Sequence, residues 1–589
     1  MARRLSSLIL CVVVASAGFT AAAARCKVYP GDAAWPSDGA WASLNERVDN
    51  RLLKPRPQAA ACYDGPEYDA AACAKMSANW TNSYTHLEDP IEMFSPVYQG
   101  LTCLPPSIYD SGNCTMGGFP WYVINATSPK HVQEGVKFAK ETGVRLVVKN
   151  TGHDFSGKSG GGESLSIWTR YLKDVEYVDE VTDAAEGYSG PAFKCGTGVQ
   201  AFEIYKVASE YNKVVVGGEG EVLYQRGPRS ESCGGGHSPL SSIYGTGADQ
   251  ALAFEVVTAD GELVTADHTQ NSDLFWALRG GGGSTFGVAT SVTVKAFPDV
   301  TTTAAAFKFS TADGISNEAF WAGVRSYFDS FIHNADNGTY AYFVMLPNNP
   351  SPGNFLFQMT PFFAPNKTAE DVAALLDPWF VELRRLGVNF APNITQYDSF
   401  YPAWQDYFPL EAVEKVNVQS GSRLFPRRNF EDVELKQATF DTIRTSLETN
   451  HVFVGFNIKA TSPDDSDNAV NPAWRENILF AIQSVRWPSN ATTDQILEAR
   501  KGFTFGDMQR WRDVSPGAGS YLAESDRMEP DFQQSFYGDA KYPRLLELKR
   551  KWDPNDVFYA ATAVGSEFWT IHTADGLPHE NGRLCRVED

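Results

Sequence analysis

The sequence predicts an α+β fold, and two patterns along the chain carry this prediction. From 117 to 299, helical and strand patterns alternate. From 300 to about 500, strand-like stretches are interspersed with helical ones, which indicates an antiparallel sheet carrying helices. Residues 25–116 are rich in Cys, Pro and Asn with little periodicity, so an irregular segment is expected there. A chain of 589 residues has room for several such units.

The first elements of the α+β part are a helix and a strand. Ser128 and Pro129 supply an N-cap and a first-turn proline, and Gly143 follows the end of the predicted helix. The β-branched run 144–148 predicts a buried strand. Further strands are predicted at 165–167, 214–216, 252–258, 288–296, 304–309, 340–345, 355–361 and 452–458, and helices at 272–279, 317–331, 369–386 and 542–552.

The N-terminus has the pattern of a secretory signal peptide over residues 1–24. Arg3 and Arg4 precede an apolar run at 8–19, and small residues follow at 21–24. The run is too short and too rich in alanine for a stable membrane anchor, and no later apolar stretch reaches the roughly 18 to 20 residues that cross a bilayer. The sequence therefore predicts a secreted, extracellular protein without a membrane anchor.

The cysteines fit an oxidising compartment. Removing the signal peptide deletes Cys11 and leaves eight of the nine cysteines, an even number that predicts disulfides. Cys62 with Cys73, and Cys103 with Cys114, would each close a short turn-rich loop, so we predict these two disulfides. The pairing of Cys26, Cys195, Cys233 and Cys585 stays open. Seven sequons predict a glycoprotein: Asn79, Asn113, Asn125, Asn337, Asn366, Asn393 and Asn490.

Charge and motifs argue against several classes of function. The formal charge of -21 leaves no excess of basic residues for a polyanion, so we expect no nucleic-acid partner. The nine histidines show no HExxH or comparable spacing, which disfavours metal catalysis. No Gly-x-Ser-x-Gly follows a strand, which disfavours a serine hydrolase.

The segment richest in chemistry is 147–159, directly after the predicted strand. Its sequence VVKNTGHDFSGKS places small residues in a turn, where several backbone N–H groups can face one concavity, as a pyrophosphate requires. A nucleophilic imidazole beside such a loop, here His153, can attach covalently to a cofactor. A plain turn with a hydrogen-bonding histidine is the alternative.

Two more glycine clusters follow, at 233–242 (CGGGHSPLSS) and 279–287 (RGGGGSTFG). Each lies at the boundary of a predicted regular element. Glycine lets another group approach the backbone closely, so three such clusters in one domain indicate a chain wrapped around a large ligand.

Four segments together resemble the FAD domain of the vanillyl-alcohol oxidase and p-cresol methylhydroxylase (PCMH) superfamily. They are the loop around Gly152-His153-Asp154 and the stretches 234–250, 255–261 and 273–283. The tail 529–538, followed by Trp552-Asp553-Pro554, resembles the C-terminal element of the berberine-bridge-enzyme-like branch. The resemblance covers about 117–565. It implies a two-part, PCMH-type FAD-binding domain and a substrate domain whose antiparallel sheet is covered by helices.

The resemblance divides the chain into five expected parts. They are a signal peptide (1–24), a disulfide-stapled N-terminal segment (25–116), the FAD-binding domain (117–299), the substrate domain (300–515) and a berberine-bridge-like C-terminal element with a tail (516–589).

The resemblance also implies the cofactor and its ligands. The cofactor would be FAD, bonded through its 8α-methyl carbon to His153. The other expected FAD-binding residues are Asn150, Thr151, Gly152, Asp154, Ser159, Gly235, Gly236, His237, Ser238 and Asp249. Of these, His237 and Asp249 are expected to fix loops around the cofactor rather than to perform chemistry.

The chain departs from the family in one region. Many members carry a cysteine that makes a second bond to flavin C6, but here Gly220 follows Glu219 at that place, so the second link is expected to be absent. The family then has a glycine-rich loop beside the flavin, whereas 221–232 reads EVLYQRGPRSES. Either this loop is displaced or the stretch derives from a mistaken gene model. We predict that it limits access of oxygen, and that Cys233 is structural because it lies too late to replace the missing link.

A hydride transfer to flavin also needs a group that takes the substrate proton. The family often uses the tyrosine of a Tyr-x-Asn motif, and here Tyr521-Leu522-Ala523 keeps the tyrosine without the asparagine. Tyr521 is therefore the candidate catalytic base. A core tyrosine with a satisfied hydroxyl is the alternative.

The leading functional hypothesis is a secreted FAD-dependent oxidase that acts on a carbohydrate or another alcohol, with oxygen as acceptor. One alternative is a flavin dehydrogenase or a tailoring enzyme of secondary metabolism. Another is a flavin-fold binding protein with impaired catalysis. The substrate and the oligomeric state are not encoded in any motif of the sequence.

Overall fold

The computed structural model describes residues 26–220, 235–408, 412–413, 415–460 and 466–587. Within these residues the chain forms three large sheets, two two-stranded sheets and surrounding helices. The helices are Asp38–Arg47, Ala70–Ala78, Ser83–Leu87, Pro129–Thr142, Ala201–Glu210, Ser241–Tyr244, Ser272–Leu278, Asn317–Phe328, Phe331–Asp336, Ala369–Arg385, Phe400–Tyr407, Arg428–Glu431, Val433–Glu448, Ala473–Glu476, Thr493–Gly502, Met508–Asp513, Phe532–Tyr537 and Tyr542–Trp552.

The strands are numbered in chain order. They are β1 (Leu52–Leu53), β2 (Tyr122–Asn125), β3 (Leu146–Lys149), β4 (Leu165–Trp168), β5 (Val175–Val181), β6 (Gly190–Gly196), β7 (Lys213–Val214), β8 (Ala251–Val257), β9 (Leu263–Asp267), β10 (Val288–Lys295), β11 (Phe297–Pro298), β12 (Thr302–Ser310), β13 (Tyr340–Pro347), β14 (Phe355–Pro365), β15 (Asn393–Tyr397), β16 (Val418–Pro426), β17 (Val452–Asn457), β18 (Asn477–Arg486), β19 (Trp569–Thr573) and β20 (Gly582–Arg586).

A four-stranded sheet, ordered β1-β2-β4-β3, positions the first glycine-rich loop. Strands β2, β4 and β3 are parallel, so the carboxyl ends of β3 and β4 meet at one edge. The predicted helix packs on this sheet: Pro129 begins it, Gly143 ends it in the left-handed conformation, and Val132 and Val136 are buried. Residues 150–164 leave β3 at that edge and enter β4.

A five-stranded antiparallel sheet, ordered β5-β6-β10-β8-β9, follows. Its core side chains include Phe193, Phe254 and Val292, and Ile204 of a neighbouring helix packs with them. The predicted strands at 252–258 and 288–296 are confirmed as β8 and β10.

The largest sheet has seven antiparallel strands in the order β15-β12-β14-β13-β17-β18-β16. Three helices, at Asn317–Phe328, Ala369–Arg385 and Val433–Glu448, pack their apolar sides on one face of it. The other face joins the core of the five-stranded sheet through side chains such as Tyr340, Phe456 and Phe480. The expected antiparallel sheet covered by helices is therefore confirmed. The shorter helix Phe400–Tyr407 packs on the other face.

The structure contains elements that the sequence analysis did not predict, both in the N-terminal segment and in the sheets. The N-terminal segment, expected to be irregular, contains helices that begin at the side-chain caps Ser37, Asp69 and Asn82. Strands β16 and β18 were not expected. Strand β16 is buried along its whole length, so its sequence lacks the alternation that marks a half-exposed strand.

The two predicted disulfides, Cys62–Cys73 and Cys103–Cys114, are confirmed. A third, Cys26–Cys585, joins the two ends of the described chain across a separation of 559 positions. Cys195 is buried in β6 and belongs to no disulfide among the described residues. Cys233 and residues 1–24 lie outside the described ranges. Within those ranges the structure contains no helix that is both long and apolar enough to span a bilayer.

Candidate active site

His153 lies in the loop that follows β3. Its ring is 6% exposed and packs on Phe94, with ring centroids 4.9 Å apart. The loop is fixed because the Phe94 N–H donates to the Gly152 carbonyl at 2.8 Å. A Cβ at Gly152, whose φ is +84°, would lie 2.9 Å from the Glu92 carbonyl oxygen. Glycine is therefore required directly before the histidine.

Asp154 organises the rest of this loop. Its carboxylate accepts hydrogen bonds from the backbone N–H groups of Ser156, Lys158 and Ser159, and from the Ser159 hydroxyl at 2.6 Å. These three N–H groups point at Asp154 and not into an open concavity. These groups are therefore paired within the loop, and Asp154 fixes its conformation.

The residues before Asp154 connect the loop to the neighbouring sheet. Asn150 donates from its side-chain amide to the Thr197 carbonyl at 2.6 Å, and Thr151 is buried. Lys149, the last residue of β3, is completely buried, and this desolvation lowers its pKa to about 7.

The second predicted cluster forms a turn that pairs with the stretch ending at Asp249. The N–H groups of Ala248 and Gly247 donate to the carbonyls of Gly235 and Gly236, at 3.0 and 3.2 Å. Ser238 continues the turn by donating from its N–H to the Ser241 hydroxyl at 2.9 Å.

Asp249 is held in a buried ion pair. Both of its oxygens accept from Arg475 at 2.7 Å, and one also accepts from the N–H and hydroxyl of Thr246. Burial would raise the pKa of Asp249, but the hydrogen bonds and charge of Arg475 outweigh it and hold the pKa below its usual range. These contacts agree with the expectation that Asp249 fixes a loop.

Tyr521 is 1% exposed, and its ring contacts three rings of the described residues. The centroids of Trp474, His237 and Phe480 lie 5.4, 5.8 and 5.9 Å from that of Tyr521. Glu524 follows one turn later, with its N–H donating to the Tyr521 carbonyl at 3.0 Å. The Tyr521 ring therefore lies against the face of the seven-stranded sheet that is opposite the three helices, where Phe480 belongs to β18.

The loop of His153 and the segment of Tyr521 are joined by three hydrogen bonds. The Phe155 N–H donates to the Ala523 carbonyl at 3.3 Å, and the Lys158 ammonium donates to the Leu522 carbonyl at 3.2 Å. The Arg527 guanidinium donates to the Ser156 carbonyl at 2.6 Å. Segments 150–164, 235–250 and 521–529 are called the cofactor-side loops below.

The structure thus brings most candidate residues together. The residues from Asn150 to Ser159 share one loop, which meets the segment of Tyr521, and His237 contacts the ring of Tyr521. Asp249 lies to the side with Arg475. Residues 221–232 and Cys233 lie outside the described ranges. Sequence reasoning missed Glu524 and Tyr340; Glu524, three residues after Tyr521, could have been found as a second ionisable group in the same turn.

The residues present fit FAD. Among the described residues, the hydroxyl oxygens of Ser156 and Ser525 are buried and have no hydrogen-bond partner. A buried hydroxyl without a partner costs free energy, so one in the loop of His153 and one in the segment of Tyr521 fit a polar ligand bound at these two segments. In the same ranges no group of three or more His, Cys, Asp and Glu could hold a metal ion.

Comparison with protein families gives two matches. Residues 120–267 match the family described as "FAD binding domain", and residues 520–565 match "Berberine and berberine like". The first match contains the loop of His153, and the second contains Tyr521.

Individual proteins match over nearly the whole chain. FAD-linked oxidoreductase patO of Aspergillus clavatus is 37% identical and covers 98% of this chain and 97% of its own length. VAO-type flavoprotein oxidase VAO615 of Thermothelomyces thermophilus is 35% identical, with 95% of each covered. The crystal structure of VAO-type flavoprotein MtVAO615 from Myceliophthora thermophila C1 superposes with a TM-score of 0.86 at 33% identity, covering 96% of this chain and 100% of that chain.

Proposed function

The chain belongs to the FAD-linked oxidoreductases of the vanillyl-alcohol oxidase and berberine-bridge type, and from this premise we propose that it is a secreted oxidase of a carbohydrate or another alcohol. In this proposal FAD is bonded to His153, and oxygen is the final acceptor. The observation that carries it is the set of three hydrogen bonds between the loop of His153 and the segment of Tyr521. They hold the attachment residue and the candidate base at one centre.

His153 is the single covalent attachment in this proposal, because Gly220 stands where a cysteine would make a second link. When bound, FAD supplies the acceptor for the substrate hydride. The residues that would hold it are Asn150, Thr151, Gly152, Asp154, Ser159, Gly235, Gly236, His237, Ser238 and Asp249. The contacts of Asp154 and Asp249 support a loop-shaping role for these two.

Tyr521 takes the hydroxyl proton of the substrate. Its burial against Trp474 and Phe480 excludes water from that proton transfer. An unperturbed phenol has a pKa of about 10, so the transfer at neutral pH needs a partner that removes the phenol proton. The substrate would lie beside Tyr521, near the face of the seven-stranded sheet that is opposite the three helices, within the proposed substrate domain 300–515.

Different observations support secretion and the use of oxygen as the acceptor. Three disulfides are typical of proteins that mature in an oxidising compartment. The relative from Thermothelomyces thermophilus carries the name oxidase, which favours oxygen. Sequencing the N-terminus of the protein exported by a eukaryotic host tests secretion, with cleavage expected after residue 24.

The cofactor proposal is tested on the purified protein. Flavin absorbance that survives acid precipitation, and flavin mass on the His153 tryptic peptide alone, are expected. His153→Ala should release all flavin on precipitation. Flavin on another peptide, or acid-released flavin in the wild type, would contradict the attachment.

The reaction is tested by peroxide release across glucose, cellobiose, benzyl alcohol and simple phenols. Release with at least one alcohol supports the oxidase. Reduction of an artificial dye without peroxide would instead identify a dehydrogenase. The absence of both reactions would favour a binding protein.

A further inference from the structure

Strand β15 forms one edge of the seven-stranded sheet. Within the described part of the chain its one ladder partner is β12, so the outer side of β15 has backbone N–H and C=O groups that no strand pairs. Asn393 and Gln396 of this strand are exposed. The strand at the opposite edge, β16, is instead buried along its whole length. The two edges of the same sheet therefore differ in their access to solvent.

The two faces of β15 are covered, but its sequence does not protect its edge. Ile394 packs on the helix-covered core, and Tyr397 packs on the core of the opposite face. An exposed edge can pair with a strand of another molecule, and proteins commonly prevent this with charged residues or proline in the edge strand. The stretch 393–397 reads NITQY, which has neither, and its Ile, Thr and Tyr favour strand formation. A bulky group at this edge would supply the missing protection.

A glycosylation sequon begins β15. Asn393 is the first residue of the strand, and Thr395 supplies the hydroxyl of the sequon. Asn393 lies opposite Ala306 of β12 and is exposed. A sugar on Nδ2 of Asn393 therefore has room in the folded protein and would cover this end of the edge.

A second sequon begins at Asn366, beside the other end of β15. Its backbone N–H donates to the Thr301 carbonyl at 2.7 Å, and the residue after Thr301 begins β12 and pairs with Tyr397, the last residue of β15. The Ala369 N–H also donates to the side-chain oxygen of Gln396 at 2.9 Å. Asn366 is exposed and has a φ of +59°, a left-handed conformation in which asparagine is common. The two sequons therefore flank the edge strand.

We propose that Asn366 and Asn393 carry N-linked oligosaccharides that shield the edge at β15 and prevent it from pairing with a second copy of this chain, an inference that rests on the secretion proposed above. The donor is a lipid-linked oligosaccharide diphosphate. The bond between sugar C1 and a diphosphate oxygen breaks, a bond between C1 and the asparagine Nδ2 forms, and one amide proton is released with the lipid diphosphate. Paired strands lie about 4.8 Å apart, so sugars at both ends of this strand exclude a neighbouring strand.

Glycopeptide mass spectrometry of the protein exported by a eukaryotic host tests the two sites. We expect sugar on the peptides of Asn366 and Asn393. Thr395→Val should remove the sugar from Asn393, whereas Thr395→Ser keeps the sequon and the sugar; valine is β-branched like threonine and suits the strand. An unmodified Asn366 or Asn393 beside sugars at other sequons would overturn this proposal alone. A chain that is retained in the cell without sugar at any sequon would overturn the secretion as well.

Light scattering after size exclusion tests the shield. The double variant with Asn366→Asp and Thr395→Val should reach about twice the mass of the wild type as its concentration rises, and hydrogen exchange in 393–397 should slow on association. Asn490→Gln should keep the mass of the wild type. Asn490 is the matched control because it is also an exposed sequon asparagine but follows β18, which is next to the opposite edge strand.

A third substitution identifies β15 as the contact. Adding Gln396→Lys to the double variant should restore the mass of the wild type, because a charge on the edge opposes strand pairing. Enzymatic removal of the sugars from the folded wild type should give the same doubling of mass, and it serves if the double variant is not exported. An unchanged mass after loss of both sugars would overturn the shield.

Discussion

The cofactor-side loops and the seven-stranded sheet are stabilised by different kinds of interaction. Around the loops, buried charges pair with each other: Glu580 contacts both Arg145 and Arg527, and Asp249 binds Arg475. The helix-covered face of the sheet instead buries rings and aliphatic side chains, such as Phe309, Phe343, Phe357 and Trp379.

The difference follows from how each region satisfies its backbone. A sheet pairs its N–H and C=O groups in the ladder, so its side chains are free to be apolar. The loops at 150–164 and 521–529 are buried without a ladder, and their backbone groups need side-chain partners such as Asp154 and Arg527. These two buried loops are therefore supported by a set of buried polar residues.

Removing one of the buried charges around the cofactor-side loops should have the largest effect on the free energy of unfolding. Glu580→Gln leaves Arg145 and Arg527 buried without their carboxylate, which typically costs about 3–5 kcal/mol. Denaturant unfolding measures the loss, and hydrogen exchange should rise in residues 150–164, because Arg527 also bonds to Ser156.

Two variants control this prediction. Phe309→Ala in the sheet should cost a similar amount, about 3–5 kcal/mol, without raising exchange in that loop. Glu134→Gln breaks a partly exposed pair with Arg47 and should cost less than about 1 kcal/mol. Equal exchange in all three variants would contradict the distinction between the two regions.

Removal of a disulfide should have the next largest effect on stability. Replacing Cys62 and Cys73 by serine opens a loop with a sequence separation of 11, worth about 3 kcal/mol in the chain-entropy model. Replacing Cys26 and Cys585 should in addition raise exchange in 150–164, because Glu580 and β20 belong to the same C-terminal stretch. Peptide mapping without reduction checks the pairing, and a Cys62–Cys103 peptide would refute it.

Tyr521→Phe tests the chemistry of the cofactor side. Anaerobic flavin reduction by a panel alcohol should slow by about 10²-fold or more, which corresponds to about 2.7 kcal/mol, at unchanged flavin content. Tyr327→Phe is the matched control, since Tyr327 is a buried tyrosine in the helix-covered core of the sheet. A rate within twofold of the wild type in Tyr521→Phe would reject its role.

The smallest expected effect is on the pH dependence of stability, and it comes from two buried aspartates. Burial raises the pKa of Asp526 to about 6, whereas Arg475 holds that of Asp249 below its usual range. The stabilisation from Asp526 is greatest when both folded and unfolded forms are protonated, and it is lost as pH rises from about 4 through 6. Asp249 contributes in the opposite sense: its stabilisation is present above about pH 4 and is lost as pH falls through its folded pKa.

Melting temperatures between pH 3 and 8 check this contrast. The difference between the wild type and Asp526→Asn should decrease as pH rises to 6, and that between the wild type and Asp249→Asn should increase over the lower part of the range. The same trend in both variants would show that their surroundings do not differ as described.

Local patterns allowed several elements to be predicted. The helix at Pro129–Thr142 has a first-turn proline, an apolar stripe and a terminal glycine, and it forms as expected. Strand β13 alternates between two faces, with Tyr340 on one and Phe343 on the other. Strand β16 could not be predicted in this way, because both of its faces are buried and no periodicity remains.

The sequence by itself determined the family, the loop that contains His153, and the two short disulfides. These features depend on residue types at close spacing, so local chemistry encodes them. The tertiary structure alone decided the bond between Cys26 and Cys585, the ion pair of Asp249 with Arg475, and the meeting of Tyr340, His237 and Glu524. Their members lie far apart along the chain, and only the packing of distant elements brings them within a few ångströms of each other.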